Sequence, residues 1–152
     1  MCRIGQLRIQ PGRSGAAAGS AGQTILFTNV GATTCSLSGY PGVAALDAGS
    51  NQVVQARRSL NGMLGGVDVG TAVPVVALSP GQVASAEIEG GDSPTAPATS
   101  CPTYPAFLVT PPGETRSERI TAGVAGANGP GFPGCQTISV NPVVPGSTGG
   151  LS

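Results

Sequence analysis

The chain of 152 residues carries seven basic and seven acidic groups for a net charge of zero, is 39% hydrophobic but only 3% aromatic, and contains no histidine. One domain fits that length, and a fold of this size buries roughly 68–70% of the surface its unfolded chain exposes, which excludes a second independent core. Sparse, balanced charge excludes the clustered basic face that nucleic-acid binding requires, and the missing histidine removes the commonest general base, proton shuttle and metal ligand near neutral pH.

Gly (25) and Pro (14) reach the proportion at which composition starts to suggest disorder. Zero net charge and a mean hydropathy of +0.18 argue against it. Gly or Pro interrupts most windows that would carry a helical apolar stripe, whereas strand signals recur. In chain order the expected strands are Ile4 to Gln10, Gln23 to Val30, Cys35 to Leu37, Val43 to Asp47, Gln52 to Ala56, Val73 to Leu78, Gln82 to Glu89, Ala106 to Thr110, Glu118 to Ala122 and Gln136 to Val140. Short strands closely spaced by turn residues predict an all-β sandwich or barrel. Along Gln82 to Glu89 the alternation puts Ala84, Ala86 and Ile88 towards the core and Ser85, Glu87 and Glu89 towards water.

Three Pro-Gly turns are expected, at Tyr40 to Val43, Ser79 to Gln82 and Pro111 to Glu114, because Pro presets φ at the second position and Gly supplies the positive φ of a type II turn at the third. Arg13 to Gly22, Ser59 to Thr71, Gly90 to Ser100 and Gly123 to Gly134 read as long loops. Residues 1–141 form the expected domain, and Pro142 to Ser152 reads as a frayed tail or linker.

Cys2, Cys35, Cys101 and Cys135 are read as two disulfides, which places the protein outside the cytoplasm. Four cysteines allow three connectivities. An antiparallel pairing of the first two long strands favours Cys2 with Cys35, leaving Cys101 with Cys135. Each bridge would close a loop of about 33 residues and contribute about 3 to 4 kcal/mol in the chain-entropy model. Met1-Cys2-Arg3 opens without an apolar run of signal-peptide type, and no run approaches a membrane span. We read Met1 as the start of a mature domain whose upstream segment would hold a signal peptide, lipid anchor or membrane helix, so that any membrane attachment comes from an anchor outside this chain.

Cys2, then Phe27-Thr28-Asn29, then Thr34 to Gly42 reading Thr-Cys-x-Leu-x-Gly-Tyr-Pro-Gly, followed by Leu78-Ser79-Pro80-Gly81 with an Ala/Ser strand, Cys101 and Cys135, resemble a family of actinobacterial exported and lipoprotein domains of unknown function. The resemblance covers nearly the whole chain. It implies an immunoglobulin-like antiparallel β-sandwich outside the cytoplasm of a high-GC Gram-positive organism, and the exclusive use of arginine among the basic residues fits a GC-rich genome. It brings no activity and no catalytic residues. Ser59 to Thr71 is longer than its pattern.

Serine or cysteine nucleophiles need an adjacent base, and without His or Lys only a carboxylate is on offer. The cysteines lack the close pairs of zinc motifs. Glu87, Glu89 and Asp92 form the one acidic cluster, with Glu87 and Glu89 about 7 Å apart on one strand face. Such a pair suits glycosidase chemistry or calcium; the plain reading is a solvated strand face. Arg57 and Arg58, followed by Met63 and Leu64, put cationic and apolar groups on one loop that would grip an anionic envelope lipid, unless Met63 and Leu64 tuck into the core. Phe132 is either an exposed contact residue or a lid on the sandwich end. We therefore expect a monomeric, cofactor-free, non-enzymatic envelope domain that binds a lipid, glycan or protein through its loops. The alternatives are a structural spacer within a larger surface protein and a carboxylate-dependent polysaccharide hydrolase.

Overall fold

The computed structural model describes residues 1–17, 19–123 and 131–151. The chain is an all-β, immunoglobulin-like antiparallel sandwich stapled by two disulfides. Its strands are β1 (Leu7–Ala17), β2 (Ser20–Asn29), β3 (Cys35–Ser38), β4 (Gly42–Leu46), β5 (Gln52–Gln55), β6 (Arg57–Arg58), β7 (Val75–Leu78), β8 (Val83–Gly91), β9 (Thr103–Tyr104), β10 (Ala106–Thr110), β11 (Glu118–Thr121), β12 (Phe132–Pro133), β13 (Cys135–Val140) and β14 (Val144–Pro145). Each of the ten expected strands has its counterpart. The first opens with a 3-10 turn at Ile4–Gln6, and the four additional strands have only two residues each, too short to carry a period.

The larger sheet runs β1-β2-β8-β13-β6 and the smaller β11-β10-β4-β5, with β9–β12 and β3–β7 as two-stranded ribbons. Among the described residues only β6 runs parallel to its neighbour, β13. Ile25 and Phe27 of β2, Ala84, Ala86 and Ile88 of β8, and Ile138 of β13 share one apolar core with Val43, Phe107 and Val109. Phe107 meets Phe132 edge to face at 5.3 Å between centroids, a geometry the ring quadrupoles favour.

The disulfides join Cys2 to Cys35 and Cys101 to Cys135, the pairing that the antiparallel β1–β2 geometry favoured. The Ser79 and Pro111 turns close as expected: Gln82 N donates to Ser79 O and Glu114 N to Pro111 O, with Gly81 at φ +89° and Gly113 at φ +78°. The Tyr40 turn does not, because the positive φ of +101° belongs to Gly39 and Gly42 already starts β4.

Three expectations are corrected. The loop Arg13 to Gly22, of which Ala18 lies outside the described residues, instead continues the β1–β2 hairpin, pairing Ser14 with Gln23 and Ala17 with Ser20 beyond an irregularity after Pro11. Its small residues show no apolar alternation. The buried Gln23 stitches the irregularity by donating Nε2 to Gly12 O at 2.9 Å. Secondly, 142–151 is not a frayed tail: β14 pairs with Ser85 and Ala84 of β8, Val143 is fully buried, and Ser85 Oγ both donates to Gly146 O and accepts from Gly149 N. Thirdly, Ser85, Glu87 and Glu89 do not face water; they are 0%, 2% and 8% exposed. β8 lies mid-sheet, and its outer face is roofed by the segment 143–151 and by a hairpin over 59–67, closed by an Asn61–Gly66 bridge and by Val67 N donating to Leu60 O. In the expected loop Gly123 to Gly134, residues 124–130 lie outside the described residues, as does Ser152.

Candidate functional site

Strand register decides what surrounds the two buried glutamates. Thr24 of β2 lies directly across from Glu87 and Gly22 across from Glu89, so all four positions share the roofed face. Thr24 Oγ1 donates to Glu87 Oε1 at 2.6 Å. Gly22 leaves the surface bare where Glu87 Oε2 and the Leu64 methyl lie, and a Cβ there would strike both. Gly149 presses on Glu87 from the C-terminal segment in the same way. Burial pushes the Glu87 carboxyl up to about 7; the Thr24 hydrogen bond opposes the rise, the nearby Glu89 charge adds to it and Arg13 opposes it.

Glu89 has a different task. Its carboxylate accepts Met63 N at 3.0 Å and Leu64 N at 3.2 Å, and Gly62 sits so close that a Cβ would collide with Oε2. It therefore anchors the 59–67 hairpin by two charge-assisted hydrogen bonds. Asn141, fully buried, ties down the hairpin base through Nδ2 to Ser59 O at 3.1 Å, while its Oδ1 has no partner among the described residues.

Between the β1–β2 hairpin and this roof opens a cavity of about 320 Å³, with Glu87 in its lining, Gly15, Ala16, Gly22, Leu64 and Leu151 among its walls, and Arg13 and Ser14 completing them. A second cleft of about 330 Å³ lies on the Met63 side, against Ser20, Glu89 and Ser139.

The candidates singled out from sequence do not meet as one loop cluster. Arg57 and Arg58 are exposed residues of strand β6 rather than of a mobile loop, and the Arg58 guanidinium lies 5.8 Å from the Tyr40 ring centroid. Met63 is 65% exposed instead of tucked in, with Ser20 Oγ at 3.3 Å from its sulfur, whereas Leu64 is half-buried over Glu87. Phe132 is fully buried against Phe107, so it serves the core and offers no contact surface. Glu87, Glu89 and Asp92 do not converge: among the described residues no group of three or more His, Cys, Asp or Glu is placed to hold a metal. Sequence reading missed Thr24, Gly22 and Leu151. Only the pairing register, which follows from the fold, could have pointed to the first two, and nothing local marks Leu151.

A family model described as a domain of unknown function (DUF4232) matches residues 2–144. No curated protein and no solved structure matches the chain.

Proposed function

The chain belongs to the DUF4232 family of domains of unknown function, and from that premise we propose that it is a non-enzymatic, extracytoplasmic binding domain of an actinobacterial cell envelope. The observation that carries this reading is the Glu87 cavity: a buried carboxyl at the wall of a small hollow whose other described lining is apolar or glycine apart from Arg13 and Ser14, on a cross-linked scaffold. Binding sites of small ligands have this composition, apolar walls with few placed polar groups. Two disulfides fit an oxidising compartment, and no helix among the described residues is long and apolar enough to cross a membrane.

Hydrolysis by a carboxylate pair is disfavoured by the division of labour. Glycosidases need two carboxyl groups free to act on one bond, and here Glu89 is committed to the hairpin amides. With no His or Lys in the chain, Glu87 has no conventional partner to complete a nucleophile and base. The occupant is an envelope lipid, glycan or protein group held by the pocket rather than by loops at the sandwich end, and the domain acts as a monomer.

Native mass spectrometry of protein secreted by an actinobacterial host tests this. Retained mass in the wild type that is lost in Gly22→Leu, whose side chain drives into the Glu87 and Leu64 wall, is the expected result. Turnover of an envelope polysaccharide that disappears in Glu87→Gln would overturn it.

A further inference from the structure

The geometry points to a primary ammonium group on a short apolar stem as the chemistry that the Glu87 pocket takes. This rests on the binding role proposed above and gives that site its ligand class.

Glu87 is 2% exposed yet contributes to the lining of the cavity. Its Oε1 accepts Thr24, and no hydrogen bond to Oε2 is formed among the described residues. A carboxylate carries about four acceptor positions, and with one donor on Oε1 the Oε2 atom, which reaches the cavity surface, keeps its positions open to a ligand. The protein's own cation does not take them up. Arg13 borders the same cavity but is exposed and acts on Glu87 only through space.

The walls narrow the class further. Gly15, Ala16, Gly22, Leu64 and Leu151 present apolar surface to a ligand stem, Ser14 adds one hydroxyl, and the exposed Arg13 leaves Glu87 as the one buried charged group that a ligand would meet among the described lining residues. Among the described residues no aromatic ring lines the hollow, which gives it neither the stacking platform of a sugar site nor the cage of a quaternary ammonium. A guanidinium fork would need Oε1 to take a second donor beside Thr24, whereas an ammonium needs one strong acceptor and brings three donors. At about 320 Å³ the volume suits a small group.

Binding depends on pH. The charged and titratable groups acting on Glu87 are Arg13 from β1 and Glu89 from its own strand, while Thr24, Leu64 and Gly149 bring no charge. As pH rises through the Glu87 value of about 7, the carboxylate forms and amine affinity increases.

The test is an amide NMR titration of the intact, oxidised chain with butylamine, butanol and butyrate at about pH 8 and about pH 5.5. Butylamine is expected to shift the Gly22 and Leu64 amides with millimolar affinity at the higher pH, a range set by its few heavy atoms. Binding should be about tenfold weaker at the lower pH, for butanol and in Glu87→Gln. Leu64→Lys, which supplies an internal ammonium beside Glu87, should block the butylamine shifts and guards against a Gln variant that misfolds. Nα-acetyl-lysine amide separates the sources: binding equal to butylamine supports a lysyl side chain of a partner, and binding of butylamine alone supports a free amine. Butanol or butyrate filling the pocket as well as butylamine, or butylamine shifts that survive in Glu87→Gln, would overturn the ammonium assignment while leaving a binding domain standing. Turnover dependent on Glu87 would remove the binding role itself.

Discussion

Glu87 couples the pocket to the stability of the fold. Its value of about 7 stands above the ordinary 4.5, so between those two pH values the folded chain keeps a proton that the unfolded chain releases. The sign follows: stability is greatest below the lower value, falls as pH rises towards the upper one, and levels off beyond it. At about 1.4 kcal/mol per unit the fall amounts to about 3 kcal/mol. Glu87→Gln keeps the size of the side chain and an acceptor for Thr24 but does not ionise. It should match the wild type near pH 4 and exceed it by about 1–3 kcal/mol near pH 8 in urea unfolding with the disulfides intact. A wild-type stability that is flat across this range would sink the account. Parity along β8 was legible in the sequence and assigned Glu87 and Glu89 correctly to the face opposite Ala86. What covers that face was not, because alternation reports which side chains share a side and says nothing of what packs upon it.

Roofing elements were the least legible part of the chain for the same reason. The 59–67 hairpin and the 143–151 segment are rich in Gly, Pro and Ser, carry no period, and owe their order to hydrogen bonds with β8 and its neighbours. Strands with their own apolar repeat, such as Ala106–Thr110, were readable to the residue. The hairpin depends on Glu89 receiving two amides and on Gly62 leaving room for the carboxylate. Removing an acceptor of two N–H groups leaves both unsatisfied, at about 1–3 kcal/mol each when buried and less here, where the amides are only partly buried. Glu89→Ala should therefore release the hairpin locally, with amide exchange at Met63 and Leu64 faster by about ten- to a hundredfold while β2 and β10 keep their protection. Gly62→Ala should reproduce the effect by collision. Exchange rates unchanged in both variants would show that the roof is held by something other than Glu89.

For the molecule as a whole, the two bridges sit at opposite ends of the larger sheet. Cys2 precedes β1, whose first residue Leu7 pairs with Asn29, and its partner Cys35 follows β2; Cys135 pairs with Gly91, at the end of β8 where Ser20 lies. The core between them contains three phenylalanines and is otherwise mostly Val, Ile, Leu and Ala, side chains that each bury less area than an aromatic ring. With separations of 33 and 34 residues, the bridges constrain the unfolded chain almost equally. Each should contribute about 3 to 4 kcal/mol, and because they sit apart their losses should add. Domains of this size have net stabilities of about 5–15 kcal/mol, so losing both leaves little margin, whereas losing one does not. Serine pairs replacing Cys2 and Cys35, or Cys101 and Cys135, should each lower the urea midpoint and keep a cooperative transition. The combined variant, or wild type in excess dithiol, should be largely unfolded at 37 °C. That behaviour would make folding itself conditional on an oxidising compartment, and the pocket would exist only outside the cytoplasm. A reduced chain that unfolds cooperatively at the oxidised midpoint would detach the fold from its bridges and with them the main physical argument for where the protein works.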